Sequence, residues 1–270
     1  MALGREDPFY NMSHQERGHA LIFAYEDFCA QGPSRRGFAK HDVDICSKAF
    51  RKLEFEVRIH WNLTKKMLLQ TIMLESREDH SNRDCLVVVL MTHGGITEKG
   101  EEVVWTCDFE IRSSELWKYF KREKCPSLAG KPKLFFIQAC RGENVDKGVC
   151  LRRPAGMRLQ YDGMSRENEY DMPLDADVLI MWASYPGMYA FVSSSNYING
   201  SVFLHFLSKV LIEYGDNEDL ATMLLRVTRE VAVSYESYVP EDDKINKNKQ
   251  IPYTVSTLMR KLVFFCPKYK

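Results

Sequence analysis

An α/β fold, with a mostly parallel six-stranded sheet and helices on both faces, is what this sequence predicts. Three observations carry that expectation. Short apolar runs are continuous rather than alternating, as in strands buried on both faces. Segments with a helical apolar period stand between them. Strand and helix signals alternate along most of the 270 residues, the order that produces a covered parallel sheet.

The apolar runs are His19–Ala24 (HALIFA), Glu56–Ile59 (EVRI), Cys85–Met91 (CLVVVLM), Lys133–Ile137 (KLFFI), Val178–Trp182 (VLIMW) and, near the C-terminus, Lys261–Phe265 (KLVFF). Between them, Asp42–Leu53 puts Val43, Cys46, Phe50 and Leu53 on one helical face, with Asp42 as its N-cap. In Leu63–Glu75, Thr64 caps a helix whose apolar side holds Met67, Leu68, Ile72 and Leu74. Ser201–Tyr214 and Asp219–Tyr235 read as two more helices, parted by the turn-like Gly215-Asp216-Asn217. The length suits one large domain, placed at 19–270 behind a short leader, 1–18.

Charge narrows the function classes. Lys plus Arg and Asp plus Glu each number 37, for a formal net charge of zero. There is no basic stripe with interleaved aromatics, so no nucleic-acid surface is expected. The N-terminus is polar, and no apolar run approaches the ~20 residues that span a bilayer. Membrane insertion and export are therefore not expected. The eight cysteines form no CxxC pair and read as reduced thiols of a cytoplasmic protein rather than zinc ligands.

Two polar segments break the rhythm. Residues 142–175 contain Gly148, Pro154, Gly156 and Gly163 without a periodic pattern, and residues 239–250 are strongly charged. Stretches of this kind inside a domain are usually functional loops or linkers.

The chemistry sits just past two of the strands. Gln138-Ala139-Cys140-Arg141-Gly142 follows KLFFI directly, and Thr92-His93-Gly94-Gly95 follows CLVVVLM. Each strand end delivers one half of a Cys/His pair, at the carboxyl edge where α/β sheets bind ligands. Cys140 is the candidate nucleophile, and His93 the group that holds or accepts its proton. The main chain at Gly94 brings one N–H toward an oxyanion, with the Cys140 N–H as the second donor.

The pentapeptide QACRG, with a histidine 47 residues upstream, resembles the caspase signature. The likeness extends through Asp42-Val43-Asp44, Gly130-Lys131-Pro132-Lys133, Pro186-Gly187 and Lys249-Gln250-Ile251-Pro252, nearly the whole chain. It implies a caspase-like fold: a large-subunit part at about 19–145, an intersubunit linker at about 146–175 and a small-subunit part at about 176–270. It also implies a cysteine endopeptidase that acts in apoptosis, cleaves protein and peptide substrates after aspartate, and uses no cofactor and no metal. Thr92 stands where caspases usually carry serine, an exchange that keeps the hydroxyl.

A pocket for aspartate needs guanidinium groups, whose forks match a carboxylate. By the resemblance, Gln138 supplies an amide to that pocket. One arginine comes from an Arg-x-Gly pattern ahead of the first helix, which Arg35-Arg36-Gly37 fits; Arg35 is the first choice and Arg36 the reserve. Phe38-Ala39-Lys40-His41 makes the following connection longer than in the family. Tyr189 and Phe191 fit the aromatic wall of the neighbouring subsite, but Val192 stands where the second arginine belongs. No Arg or Lys lies between Pro186 and Ser201, so a shifted alignment does not restore the charge. Val202 replaces an expected tryptophan, which would enlarge or flatten an outer subsite.

The resemblance further implies a zymogen cut after aspartate in the linker. Asp162 is the preferred position, with Asp146 and Asp171 as the others. The short leader is similar to that of members activated by other proteases. KLVFF is expected as the edge strand through which the chain pairs with itself or with a related caspase. Val192 opens an alternative, a catalytically impaired relative that regulates an active caspase by binding it.

Overall fold

The computed structural model describes residues 7–148, 176–195 and 197–265. Its first half runs β1 (His19–Ala24), α1 (Ala39–Lys52), β2 (Glu56–Trp61), α2 (Lys65–Glu75) and β3 (Leu86–Met91). Three short strands follow, β4 (Gly94–Ile96), β5 (Glu102–Trp105) and β6 (Glu110–Arg112), and then β7 (Lys133–Gln138). Next come β8 (Val178–Trp182), β9 (Val192–Ser194), β10 (Asn199–Ser201), α3 (Val202–Tyr214), α4 (Leu220–Ser234) and β11 (Tyr253–Ser256).

The central sheet has six strands in the order β11-β8-β7-β3-β1-β2. All of its pairings are parallel except that of β11 with β8. Alternate residues of β1 enter two different cores. Ala20, Ile22 and Ala24 pack with α1, α3 and α4, whereas Leu21 and Phe23 pack with Leu68 and Ile72 of α2. A strand buried on both faces has no polar side to alternate with, which is why HALIFA and LVVVLM read as unbroken apolar runs. Two antiparallel units flank the sheet, β4-β5-β6 and the β9-β10 hairpin.

Two local expectations need correction. Helix α1 begins at Ala39, and its first-turn Asp42 is buried inside it rather than capping it. The Asp42 carboxylate serves Ser201 instead, whose N–H and hydroxyl both donate to it. Thr64 does cap α2, accepting the Met67 N–H at 3.2 Å, and Asp219 caps α4 in the same way.

KLVFF is not a strand, and it is not the sheet edge. The edge is β11, paired on one side to β8. Leu262 and Phe264 instead bury into the larger core; the Leu262 carbonyl accepts the Leu220 N–H at 2.7 Å, and the Phe264 ring meets Phe55 edge-on at 5.9 Å. Apolarity reported the burial correctly and the pairing wrongly, because a coil crossing a core carries the same residues as a strand.

Candidate active site

Strands β3 and β7 are parallel neighbours in register, with Met91 opposite Gln138. Thr92-His93 and Ala139-Cys140 therefore leave the sheet side by side at its carboxyl edge. The Thr92 N–H carries the ladder one step further by donating to the Gln138 carbonyl at 3.0 Å. Its hydroxyl donates to the Trp105 carbonyl at 2.7 Å, tying this edge to β5.

The Trp105 N–H donates to the His93 carbonyl at 2.9 Å. Hydrogen-bonded and non-bonded pairs alternate along an antiparallel ladder, so Gly94, opposite Val104, turns its N–H away from β5. A Cβ at Gly94 would lie 2.6 Å from the Cys140 carbonyl oxygen and 2.9 Å from that of Val103. Only a glycine lets these main chains approach so closely.

His93 is half-buried, with Phe28 tilted against its ring at 5.2 Å. Its Nε2 lies 2.8 Å from the Ser34 carbonyl, which can only accept. Nε2 therefore holds a proton, and Nδ1 is the lone-pair nitrogen of the neutral ring. Burial lowers the His93 pKa; Ser34 partly offsets this, and nearby Arg36 lowers it further.

The Cys140 thiol is held by Ala190. The Ala190 N–H donates to Sγ at 3.4 Å, and Sγ donates to the Ala190 carbonyl at 3.6 Å. Burial raises the thiol pKa, against the Ala190 N–H and Arg36, which lower it. The resting pair is thus a neutral thiol beside a neutral imidazole. Among the described residues no hydrogen bond joins the two, and the Cys140 S–H points to the Ala190 carbonyl.

Several supporting residues escaped the sequence reading. The Arg141 guanidinium forks onto Glu102, through Nε at 2.8 Å and a shorter contact from Nη2. It lies over the rings of Trp182 and Tyr253 at 4.6 and 5.0 Å. Gly142 has φ +151°, and a Cβ there would run into the Gly187 main chain. This close approach lets the Arg141 N–H donate to Met188, and the Gly187 N–H to Arg141. Buried Gln250 accepts the Phe191 N–H at 2.7 Å and donates to the Ala183 carbonyl at 2.8 Å. Arg141 and Gln250 both lie in motifs noted above, which were the available signal for them.

The two arginines of the first loop part company. Arg35 is exposed and pairs with Glu26 and Asp27. Arg36 has a side chain only 8% exposed, donates to the Tyr25 carbonyl at 3.0 Å and stands 3.5 Å from Asp42. The guanidinium that bears electrostatically on both Cys140 and His93 is that of Arg36. Gln138 is buried, with Oε1 lacking a hydrogen-bond partner. Val192 is 47% exposed on β9, opposite Ser201.

Tyr189 and Phe191 sit 5.9 Å apart and line a cavity of about 170 Å³ with Asn144, Met188 and Gln250. Val202 opens α3 wholly buried in the core, so it lines no outer subsite. Asp146 is exposed, its carbonyl accepting the Lys249 N–H at 2.7 Å. Asp162 and Asp171 lie outside the described residues.

One group of metal-ligating type gathers among the described residues: His19, Glu75 and Glu78. His19 opens β1, far from the carboxyl edge. Arg58 pairs with both carboxylates and Arg83 with Glu78, which balances their charge without an ion.

The caspase domain model matches residues 17–263. Caspase-1 of Spodoptera frugiperda is 38% identical over 264 residues, which cover 98% of this chain and 84% of that protein. Caspase drICE of Drosophila melanogaster is 35% identical over 268 residues, covering 99% of this chain and 75% of that protein. The crystal structure of Caspase-1 from Spodoptera frugiperda is similar with a TM-score of 0.87 at 35% identity, covering 98% of both chains. With sequence and fold alike over nearly its full length, this chain belongs to the caspase family, a family of cysteine-type peptidases.

Proposed function

We propose that this chain is a cysteine endopeptidase that cleaves protein substrates after aspartate and acts in apoptosis in the cytoplasm. The observation that supports this best is the meeting of His93, Gly94 and Cys140 at one sheet edge. In the proposed mechanism Sγ leaves Ala190 and gives its proton to Nδ1 of His93. The thiolate attacks the scissile carbonyl carbon, and the Gly94 and Cys140 N–H groups receive the oxyanion. Collapse expels the amine, which takes the proton from His93, and leaves an acyl-enzyme. A water that gives its proton to His93 then hydrolyses the thioester.

In this reading Arg36, rather than Arg35, faces the substrate carboxylate together with Gln138, and Tyr189 and Phe191 wall the next subsite. Cleavage between Asp146 and Asp175, at Asp146, Asp162 or Asp171, separates the two subunit parts. Pairing with a second copy, or with a related caspase, uses the free side of β11.

A second reading rests on the same pocket. Val192 supplies no charge, and Asp42 already pairs with Arg36. Loss of one of two buried partners for a carboxylate costs about 2–5 kcal/mol, roughly 30-fold to several thousand-fold in affinity. A member so altered would bind and regulate an active relative rather than cleave.

Turnover of fluorogenic Asp peptides by protein cut in the linker separates the two, measured beside Cys140→Ala and Val192→Arg. Activity that disappears in Cys140→Ala supports the peptidase. A silent native protein that Val192→Arg awakens supports the regulator.

A further inference from the structure

The six cysteines among the described residues divide by surroundings. Cys46, Cys85 and Cys125 are buried, and burial raises all three thiol pKa values, that of Cys46 to about 12. Closed off from solvent, these three thiols are inert. Cys140 belongs to the site. Cys29 and Cys107 are half-buried, and the proposed reaction uses neither.

These two are neighbours. The Cys29 N–H donates to the Cys107 carbonyl at 2.7 Å. A main-chain hydrogen bond this short makes the two residues near neighbours in space, and a disulfide bridges Cα atoms about 4.4–6.8 Å apart. Sγ of Cys29 reaches the same strand end, 3.4 Å from the carbonyl of Asp108, the residue after Cys107. Cys29 lies close enough to bear on Cys107, whose thiol is raised by burial, then by Asp108 and Cys29.

Both anchors are already tied down. The Cys107 N–H donates to Leu63, ahead of α2, and Asp108 accepts the Lys65 N–H at 2.8 Å. On the other side, Cys29 belongs to the connection from β1 to α1 that serves the site. That connection carries Phe28, which packs on His93, Ser34, which accepts from it, and Arg36.

We propose that Cys29 and Cys107 are a thiol-oxidation site, closing a reversible disulfide that straps the His93-supporting loop to the end of β5. The oxidant class is hydrogen peroxide. The Cys29 thiolate attacks one peroxide oxygen, the O–O bond breaks, and a sulfenic acid forms as hydroxide leaves and takes up the thiol proton as water. The Cys107 thiolate then attacks the sulfenic sulfur. The S–O bond breaks, and the departing hydroxide takes the Cys107 proton as a second water. Two thiols lose two electrons, and peroxide gains them.

The experiment uses the full chain carrying Cys140→Ala, so that the site thiol does not capture the intermediate, and its readouts need no peptidase activity. Reduced protein is treated with hydrogen peroxide, alkylated, digested and mapped by mass spectrometry. The expected result is a Cys29–Cys107 linked peptide that dithiothreitol removes. The oxidised chain should also melt about 5 °C or more above the reduced one, since the crosslink closes a long loop. That shift should vanish in Cys29→Ser, or in Cys107→Ser if the first variant does not fold. Sulfinic or sulfonic acid at Cys29 without the linked peptide overturns the proposal, as does a link from either cysteine to another partner.

Discussion

Arg36 and Asp42 form a buried pair, 3.5 Å apart, that joins the loop before α1 to the first turn of that helix. Asp42 also takes both the N–H and the hydroxyl of Ser201, the residue opposite Val192 in the β9-β10 hairpin. Gly200 makes room for it, since a Cβ there would lie 2.5 Å from the Asp42 carboxylate. The positive charge proposed for the substrate pocket is therefore shared with a carboxylate of the protein itself, and Val192 adds none.

Asp42→Asn should thus act in two opposite directions. Arg36 would lose its buried counter-charge, which costs about 3 kcal/mol of stability and should show as a lower urea midpoint. The freed guanidinium should then discriminate better for a substrate carboxylate, raising the kcat/KM ratio for Asp over Asn peptides several-fold. An unchanged ratio in folded, active Asp42→Asn protein would remove Asp42 from the pocket's electrostatics.

Gly94→Ala tests the close approach of this main chain to Cys140. Its Cβ would meet two carbonyl oxygens, of Cys140 and Val103, and main-chain atoms cannot swing aside as side chains do. The strain should cost about 1–3 kcal/mol. Displacing the proposed oxyanion donor should lower kcat at least about 100-fold with a smaller effect on KM. A kcat within a factor of about three of the parent would mean that this N–H is not in the reaction.

Four histidines predict the pH dependence of stability. Burial lowers the pKa of His60, His80, His93 and His205 below the ordinary value. Below about pH 6.5 the unfolded chain binds protons that the native one refuses. Their contribution is therefore full above that pH and is lost as pH falls toward the folded pKa values. Asp42, raised by burial, pulls the other way, but it is one group against four. The melting temperature should fall between pH 7.5 and 5.5, and His80→Gln should flatten the curve. A Tm that holds or rises over that interval would contradict this assignment.

The strands that hold the site were legible because both of their faces are buried. LVVVLM and KLFFI carry no polar alternation, and each runs straight into its chemical residue. Lys261–Phe265 misled for the same reason: composition records burial and is silent on which neighbour supplies the hydrogen bonds. True edge strand β11, Tyr-Thr-Val-Ser, is largely exposed and so lacked the apolar signal.

Spacing put Arg35 ahead of Arg36, but the direction each takes is set by partners that lie outside the Arg-x-Gly pattern. Glu26 and Asp27 draw Arg35 outward, whereas Asp42 and the Tyr25 carbonyl hold Arg36 inward. The hold of Ala190 on Cys140 crosses 50 residues and leaves no local pattern at all.

Glu102 and Arg141 carry the last prediction. Arg141 follows Cys140 directly, and its side chain is 6% exposed. Two aromatic rings cover the guanidinium, and Glu102 of β5 takes its fork. The pair fastens the β4-β5-β6 unit to the chain just past Cys140. Glu102→Ala would leave a buried cation with the Ser184 carbonyl at 3.5 Å as its remaining acceptor among the described contacts. Breaking a buried pair typically costs about 3–5 kcal/mol; Glu102 is 29% exposed, so water can enter, and about 2 kcal/mol is expected. Glu102→Gln should lose less, because its amide oxygen still accepts. Arg141→Lys should resemble the alanine variant, since an ammonium cannot fork onto the carboxylate or stack on the rings in the same way. Urea unfolding ranks the three, and an alanine variant as stable as the parent would show that this pair does not hold the edge together.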